Sequence, residues 1–186
     1  MNFIGSKKIE TDRLILRSTE ESDLKTLWEI LLDTGVNKYY LTSKINRDWD
    51  KEKIFQMKKL EHANDNDIFQ WSIIKKDTEE CIGQISVQEK EDMSKDIRDI
   101  GWFISSEEQR KGYAYEAANA ILNYMFNEVD ITKIDTSAAI ENVASWKLME
   151  KLGFKRKEQI KKVKYTFIDD FVECYTYDLT KEDYNK

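Results

Sequence analysis

The chain carries the run Gln109-Arg110-Lys111-Gly112-Tyr113-Ala114 between a segment that predicts a strand and one that predicts a helix. A glycine loop at such a junction brings the unpaired N–H groups and the positive dipole end of the helix to one point. Gly112 adds no side chain, so a ligand can approach the backbone closely. The run therefore predicts an anion site suited to a pyrophosphate. The spacing alone fits equally well an ordinary strand–helix turn with a solvated Arg110-Lys111 pair.

Hydrophobic patterning on both sides of this run predicts a mixed α/β (α+β) fold. Apolar residues at intervals of three and four predict helices over residues 24–32, 49–62, 114–126 and 142–152, and Gly153 follows the last of them as a left-handed cap. Strands are predicted over residues 14–17, 69–75, 81–89, 98–105, 133–138, 154–164 and 167–179. We expect a mostly antiparallel central sheet of six to seven strands, with flanking helices and a central βαβ unit.

Length and composition limit the classes of protein to which the chain can belong. Its 186 residues predict a single domain, 1–186, since no repeat or linker interrupts them. A net charge of −6 disfavours nucleic-acid binding and favours basic partners. The lack of long apolar runs excludes a membrane-spanning helix and a secretory signal. Cys81 and Cys174 stand far apart, so we expect both to be strand residues of a reduced, cytoplasmic protein.

The chain has a single histidine, His62, which restricts its chemistry. This residue lies in the polar stretch 61–67, which we interpret as an exposed loop. A histidine-based triad or a multi-histidine metal site is therefore nearly impossible, and no metal is expected.

Three segments, in this order and spacing, resemble the motifs of one known family. The opening segment 10–17 is Glu-Thr-Asp-Arg-Leu-Ile-Leu-Arg, the middle segment 100–117 contains Lys-Gly-Tyr-Ala-Tyr-Glu-Ala, and the third segment 141–154 begins Glu-Asn-Val-Ala-Ser-Trp-Lys and ends Lys-Leu-Gly-Phe. The middle segment is similar to the Gln/Arg-x-x-Gly-x-Gly/Ala motif of the GCN5-related N-acetyltransferases (GNAT). All three resemble the RimJ/RimL-like branch of that family, and they cover nearly the whole chain.

The resemblance implies a GNAT-like sheet whose central βαβ unit binds acetyl-CoA as the acetyl donor. By this resemblance, the backbone of Trp102 and Ile104 binds the acetyl carbonyl and pantetheine arm, the amides of residues 109–115 bind the pyrophosphate, and Asn142 bonds the pantetheine. Lys111 and Lys147 either reach CoA phosphates or are solvated surface lysines. The implied binding residues are Trp102, Phe103, Ile104, Gln109, Arg110, Lys111, Gly112, Tyr113, Ala114, Tyr115, Asn142, Ser145 and Lys147.

The catalytic groups are less clearly marked in the sequence. A strand N–H near Trp102 or Phe103 could stabilise the oxyanion that forms when an amine attacks the thioester. Many relatives protonate the departing thiolate with a tyrosine, but Met149 stands at the corresponding position, which leaves Ser145 as the nearest hydroxyl. Asp99 is the first candidate for the general base. Each of these residues also has an ordinary structural role open to it, such as a helix-surface serine bonded to a local carbonyl.

The expected function is the transfer of acetyl from acetyl-CoA to a primary amine, either a protein N-terminal α-amine or a small amine. The acidic balance fits a basic protein terminus. The alternatives are a non-catalytic acyl-CoA-binding module and an antibiotic or polyamine acetyltransferase. The residues that select the acceptor are expected in the first two helices and their loop, around residues 34–46, and in the last hairpin. Tyr39, Tyr40 and Trp49 lie either in that cleft or in the core. An exposed last strand could pair with a second copy to form a homodimer.

Overall fold

A computed structural model of the protein describes residues 2, 4–40, 45–65, 69–89, 93–165 and 168–186. Its strands are β1 Ile9–Glu10, β2 Leu14–Ser18, β3 Phe69–Lys75, β4 Cys81–Glu89, β5 Ile97–Ile104, β6 Lys133–Ala139, β7 Lys155–Lys164 and β8 Phe171–Thr180. They form one sheet in the order β1-β2-β3-β4-β5-β6-β8-β7. Neighbouring strands are antiparallel except β5 and β6, which are parallel.

The helices flank this sheet and differ greatly in length. They are α1 Leu24–Leu32, α2 Thr34–Asn37, α3 Trp49–Asp65, α4 Tyr113–Asn127, α5 Val143–Lys151 and α6 Lys181–Tyr184, with 3₁₀ turns at Glu21–Asp23 and Ser106–Glu108. The helix α4 connects β5 to β6 and completes the predicted βαβ unit. None of the helices in the described part of the chain has both the length and the apolar character needed to cross a membrane.

The predicted seven strands and four long helices are all present, and the mixed α/β class is confirmed. The eighth strand, β1, has two residues and therefore no periodicity by which the sequence could show it. Gly153 has φ +92° after α5, as expected for a left-handed cap. The loop interpretation of His62 is wrong at the level of the backbone, because α3 continues to Asp65. Both cysteines lie on strands, as predicted.

The last strand does not form an edge of the sheet. Strand β8 is paired with β6 on one side and with β7 on the other, so β7 is the edge strand. The expectation of an exposed last strand is therefore wrong, because the strand that ends the chain lies inside the sheet. A homodimer formed through that strand would need an edge that β8 does not offer.

The main core lies between α4 and the sheet. The apolar stripe of α4 is fully buried, and its members are Ala117, Ala118, Ile121, Leu122, Met125 and Phe126. The alanines at the start of the stripe keep the helix close to the strands, while the larger residues fill the space toward its end. This packing fixes the first turn of α4 relative to the end of β5, which matters for the site described below.

Strands β5 and β6 are paired only at their beginnings. Their register contains two pairs, Ile97 with Lys133 and Arg98 with Ile134. Beyond that point the Thr136 hydroxyl donates to the carbonyl of Ile100 at 3.1 Å. The strands then separate and leave an opening in the centre of the sheet.

The helix α1 is tied to the sheet by a buried carboxylate. Asp23 accepts hydrogen bonds from both terminal nitrogens of Arg17, at 2.7 and 2.8 Å, and from the Ser72 hydroxyl at 2.8 Å. Burial alone would raise the pKa of Asp23, but the bonds from Arg17, the Glu20 amide and Ser72 outweigh it and lower the pKa. The ionised form therefore stabilises the folded state.

We expect Asp23→Asn to lower the free energy of unfolding at pH 7 by about 2–3 kcal/mol, since it leaves Arg17 without its charged partner. Because the folded pKa of Asp23 lies below its unfolded value, the contribution is present at neutral pH and is lost as the pH falls below about 4. Urea unfolding of both proteins between pH 3 and 7 measures this. The control is Glu29→Gln on the exposed face of α1; an equal loss in both variants would contradict the assignment.

Candidate active site

The opening between β5 and β6 leads into a cavity of about 500 Å³. Its walls come from residues 35–36 and 39–40, from β5, from the loop before α4, and from α5. The cavity brings together most of the residues predicted from sequence: Trp102, Phe103, Ile104, Gln109, Arg110, Gly112, Tyr113, Ala114, Tyr115, Asn142, Ser145 and Lys147. Two of the predicted residues, Lys111 and Asp99, do not line it.

The first turn of α4 presents backbone amides to one end of the cavity. Gly112 is the N-cap, with φ +88°, and Arg110 before it has φ +62°. The Glu116 N–H makes the first bond of the helix ladder, to the Gly112 carbonyl at 3.1 Å. The amides of residues 113–115 precede that bond and are the orphan donors of the helix terminus. A pyrophosphate fits this position because oriented amides and the helix dipole both favour negative charge.

The backbone amide of Gln109 is not free to bind an anion as predicted. Its backbone N–H donates to the Ser105 carbonyl at 3.1 Å, and its side-chain amide donates to the Ile104 carbonyl at 3.1 Å. The Gln109 amide is therefore used within the loop, and the amides suited to an anion begin after it. The side chain instead joins the loop to the end of β5.

An acidic residue in the first turn of α4 is neutralised by the opening segment of the chain. Glu116 Oε1 accepts hydrogen bonds from the Thr11 hydroxyl at 2.6 Å and the Arg13 amide at 2.8 Å, and Oε2 accepts from Arg13 Nε at 2.7 Å. Burial would raise the pKa of Glu116, but these bonds outweigh it and lower the pKa. The carboxylate is therefore ionised and compensated, so it repels a bound phosphate less than a free carboxylate would.

Arg13 also contacts the loop of residues 109–112 before α4, which we call the anion loop. Its Nη1 donates to the Lys111 carbonyl at 3.0 Å, and its guanidinium lies 4.4 Å from the centre of the Tyr113 ring. A Cβ at position 112 would lie only 3.3 Å from Arg13 Nη2, which is a second reason, beside the positive φ, for glycine there. The sequence showed the resemblance of segment 10–17 but not this function, because β2 and α4 are about 100 residues apart.

The backbone N–H and C=O groups of successive residues of β5 point alternately toward β4 and toward β6. The Ile100 carbonyl accepts from the Thr136 hydroxyl on β6, whereas the amide of Ser105, just after β5, donates to the Ile82 carbonyl on β4 at 2.8 Å. Because strand residues alternate, the peptide groups of Trp102 and Ile104 face the opening. The peptide group of Phe103 faces β4, so of the two strand N–H groups considered as donors to the oxyanion, that of Phe103 does not fit. Its side chain packs instead with Leu27 and Leu31.

The opposite wall is formed by α5 and the turn before it. Asn142 is the N-cap of α5, and its carbonyl accepts from the amide of Ser145 at 3.0 Å. Ser145 and Met149 both line the cavity. Met149 therefore occupies the wall at the position where the resemblance leads one to look for a tyrosine, and its thioether offers no acidic proton.

Cationic side chains of α5 also line the cavity. Lys147 and Lys151 are four residues apart on α5 and both line it, the latter with Nζ 4.3 Å from the centre of the Tyr115 ring. The sequence analysis did not include Lys151, although its spacing of four residues from Lys147 places both side chains on one face of a helix. Lys111 instead pairs with Glu108 at 3.0 Å and is half-exposed, in accordance with the surface alternative.

Asp99 lies on the opposite face of β5 from the main core, two residues before Gly101. It does not reach the cavity lining, but it acts on two tyrosines near it. Burial, and more weakly the charge of Asp99, raise the pKa of Tyr40 to about 12. Burial and next the Cys174 thiol raise the pKa of Tyr165 above its usual value, and the charge of Asp99 adds to this. Both phenols are therefore protonated at neutral pH. The described residues include no group of three or more His, Cys, Asp or Glu side chains arranged for a metal ion.

Of the aromatic residues considered for the acceptor cleft, two line the cavity and one does not. Tyr39 and Tyr40 are both in its wall. The Tyr40 ring packs at 4.9 Å, edge to face, on Phe103, and a Cβ at Gly101 would lie 3.6 Å from it. Trp49 instead packs against Trp28, with ring centroids 5.2 Å apart.

The fold and the cavity together define an acyl-CoA-dependent acyltransferase. The chain belongs to the acetyltransferase (GNAT) domain family, whose model matches residues 13–155. It is 29% identical over 177 residues to the uncharacterized N-acetyltransferase YnaD of Bacillus subtilis (strain 168), covering 95% of this chain and 99% of that protein. The protein is thus an acetyl-CoA-dependent N-acetyltransferase.

Solved structures of two Vibrio proteins share the fold. Spermidine N-acetyltransferase from Vibrio cholerae, in complex with CoA and spermine, has a TM-score of 0.80 and 19% identity, covering 95% of this chain and all of that one. Ribosomal-protein-S5-alanine acetyltransferase from Vibrio fischeri has a TM-score of 0.78 and 20% identity, covering 96% and 98%. At this identity the likeness shows the common fold and leaves the acceptor open.

We expect Glu116→Gln and Arg13→Met each to weaken CoA binding about tenfold, since charge-assisted bonds contribute about 1.5–3 kcal/mol and here they shape the anion loop. Isothermal calorimetry with CoA measures the dissociation constant. The control is Glu10→Gln, which removes an exposed carboxylate of the same opening segment. Unchanged CoA affinity in well-folded Glu116→Gln would show that the loop needs no such support.

Proposed function

We propose that the protein acetylates the α-amine of a protein N-terminus or a small primary amine, and that it belongs with the RimJ/RimL-like branch of its family. The proposal rests on one observation: the first turn of α4, with its free amides, and Trp102, whose peptide group faces the opening, line the same cavity. An acetyl thioester whose pyrophosphate lies at α4 would extend along the opening between β5 and β6. Segments 10–17 and 141–154 support the branch assignment.

The proposed reaction is direct transfer. The unshared electron pair of the amine attacks the thioester carbonyl carbon, and the carbonyl oxygen becomes an oxyanion. We assign the Trp102 N–H as the donor to this oxyanion, because that peptide group faces the opening while the peptide group of Phe103 does not. The C–S bond then breaks, the amide forms, the nitrogen loses a proton, and the CoA thiolate gains one.

Ser145 is the proposed proton donor to the thiolate, directly or through a water molecule. It lines the cavity on the first turn of α5, one turn before Met149. Asp99 is the proposed acceptor of the amine proton. Since it lies outside the cavity lining, the proton would have to reach it through Tyr40 or through solvent, so Asp99 can assist the attack only indirectly.

The lack of a described carboxylate with direct access to the amine as a general base favours acceptors that are already neutral. The pKa of an α-amine is about 7.7–8.0 and that of a lysine side chain about 10.4, which corresponds to about 3.4 kcal/mol of deprotonation free energy. An α-amine can therefore attack near neutral pH with little help from the enzyme. This supports N-terminal amines over lysine side chains as acceptors.

We expect release of free thiol from acetyl-CoA to depend on an amine, and kcat/KM for a peptide α-amine to rise with pH and level off above about pH 8. Peptides with a free N-terminus and matched peptides with only an ε-amine are compared. Faster acetylation of the ε-amine would contradict the α-amine assignment. CoA binding without thiol release on any amine would instead support the non-catalytic module.

We expect Ser145→Ala to lower kcat by about 10²-fold with little change in KM for acetyl-CoA, because proton transfer typically contributes this much. The control is Ser94→Ala, at an exposed serine bonded to Asp96. If Ser145→Ala and wild type had equal kcat, the proton that the thiolate gains would come from solvent rather than from Ser145.

A further inference from the structure

A small cluster of Lys38, Tyr39 and Glu141 joins two separate parts of the chain. The Tyr39 hydroxyl donates to Glu141 Oε2. The ammonium of Lys38 lies 3.9 Å from the same carboxylate oxygen and 4.7 Å from the centre of the Tyr39 ring. Lys38 and Tyr39 follow α2, while Glu141 follows β6.

The cluster stands beside the cavity. Tyr39 lines the cavity together with Trp102 and Asn142, and Glu141 directly precedes Asn142 in the chain. On its other side the Tyr39 ring meets the buried Tyr165 edge to face, with centroids 6.1 Å apart. The Tyr39–Glu141 contact therefore joins the segment after α2 to the turn before α5 beside the cavity.

The chemistry of the cluster is that of an ammonium site. A carboxylate, a phenol oxygen and an aromatic face are the groups that bind a primary ammonium in proteins. Here the ammonium is that of Lys38, a residue of the chain itself. Because the side chains of Lys38 and Glu141 are 55% and 74% exposed, their ion pair is weak and open to exchange with another ammonium.

We propose that Tyr39 and Glu141 bind a second ammonium group of the acceptor, which displaces Lys38 while the acceptor's other amine enters the cavity. This inference rests on the proposed function and narrows it to acceptors with two cationic amino groups. Two kinds of molecule share that chemistry, a small diamine or polyamine and a peptide whose N-terminal residue is followed by lysine. The acceptor's first amine reacts and its second amine determines affinity.

The test compares matched acceptors that differ by one charge. The pairs are 1,4-diaminobutane with butylamine, and the dipeptide amide alanyl-lysine with alanyl-glutamine. For Glu141→Gln we expect kcat/KM to fall at least tenfold for the dicationic acceptor and less than twofold for the monocationic one, within whichever pair the enzyme acetylates. KM for acetyl-CoA stays unchanged. The pair that shows the larger loss identifies the source of the acceptor.

Two further variants separate this site from general charge effects. Glu158→Gln removes an exposed carboxylate of β7, and we expect it to leave kcat/KM for both members of each pair at the wild-type value. Lys38→Met removes the resident ammonium and is expected to lower KM for dicationic acceptors severalfold. A rise in that KM would show that Lys38 belongs to the site rather than competing for it, and would overturn the proposal.

The proposal is also overturned if wild type does not prefer the dicationic members, or if Glu141→Gln affects both members of a pair equally. Failure of the proposed function would look different, because wild type would then release no thiol with any amine. In that case calorimetric titration of the CoA-bound protein with 1,4-diaminobutane still tests the site. Binding lost in Glu141→Gln supports it, and equal binding, or none in wild type, contradicts it.

Discussion

The separation of β5 from β6 is the constraint on which the rest of the molecule depends. Two parallel pairs hold the beginnings of these strands together, and beyond them no strand in the described part of the chain pairs with the peptide groups of Trp102 and Ile104 on the β6 side. A gap in a sheet would normally leave polar backbone groups without partners, at a considerable free-energy cost. Here the Thr136 hydroxyl and the Gln109 side chain bind the carbonyls on either side, at Ile100 and Ile104. What remains facing the gap is the part of β5 that a thioester can use.

The anion loop needs support from outside the βαβ unit. The buried stripe of α4 fixes where the helix begins, and the Arg13–Glu116 pair fixes the shape of the loop in front of it. This pair also explains how a glutamate can stand in a helix turn that is to receive a phosphate. Its charge is compensated by Thr11 and Arg13, which are not among the residues that line the cavity, and the amides at the helix terminus keep their positive potential. In the proposed donor site, the opening segment of the chain thus supports the loop before α4 without lining the cavity.

Much of this arrangement was predictable from the sequence. The long helices and strands have strong periodicity, and Gly112 and Gly153 mark turns that only a left-handed backbone can make, so their positions were found. The cavity wall at Asn142 and Ser145 followed from the resemblance. The elements that were missed are short: β1, α2 and α6 have two to four residues and no period.

The remaining differences depend on contacts between distant parts of the chain. No local pattern pairs Arg13 with Glu116, or Tyr39 with Glu141, since each pair is about 100 residues apart and meets only after the sheet has formed. The direction of the Phe103 peptide group depends on strand register, which periodicity alone does not supply. Strand order was likewise hidden, because β8 inserts between β6 and β7.

The most direct test is the ¹⁵N–¹H spectrum of the protein during titration with coenzyme A. The account predicts that the amide signals of residues 113–115 and of Trp102 shift the most, and that the Gln109 amide, already bonded to Ser105, shifts less. If coenzyme A bound while the amides at the start of α4 and in the opening of the sheet kept their free positions, the donor would lie elsewhere and the account would be contradicted.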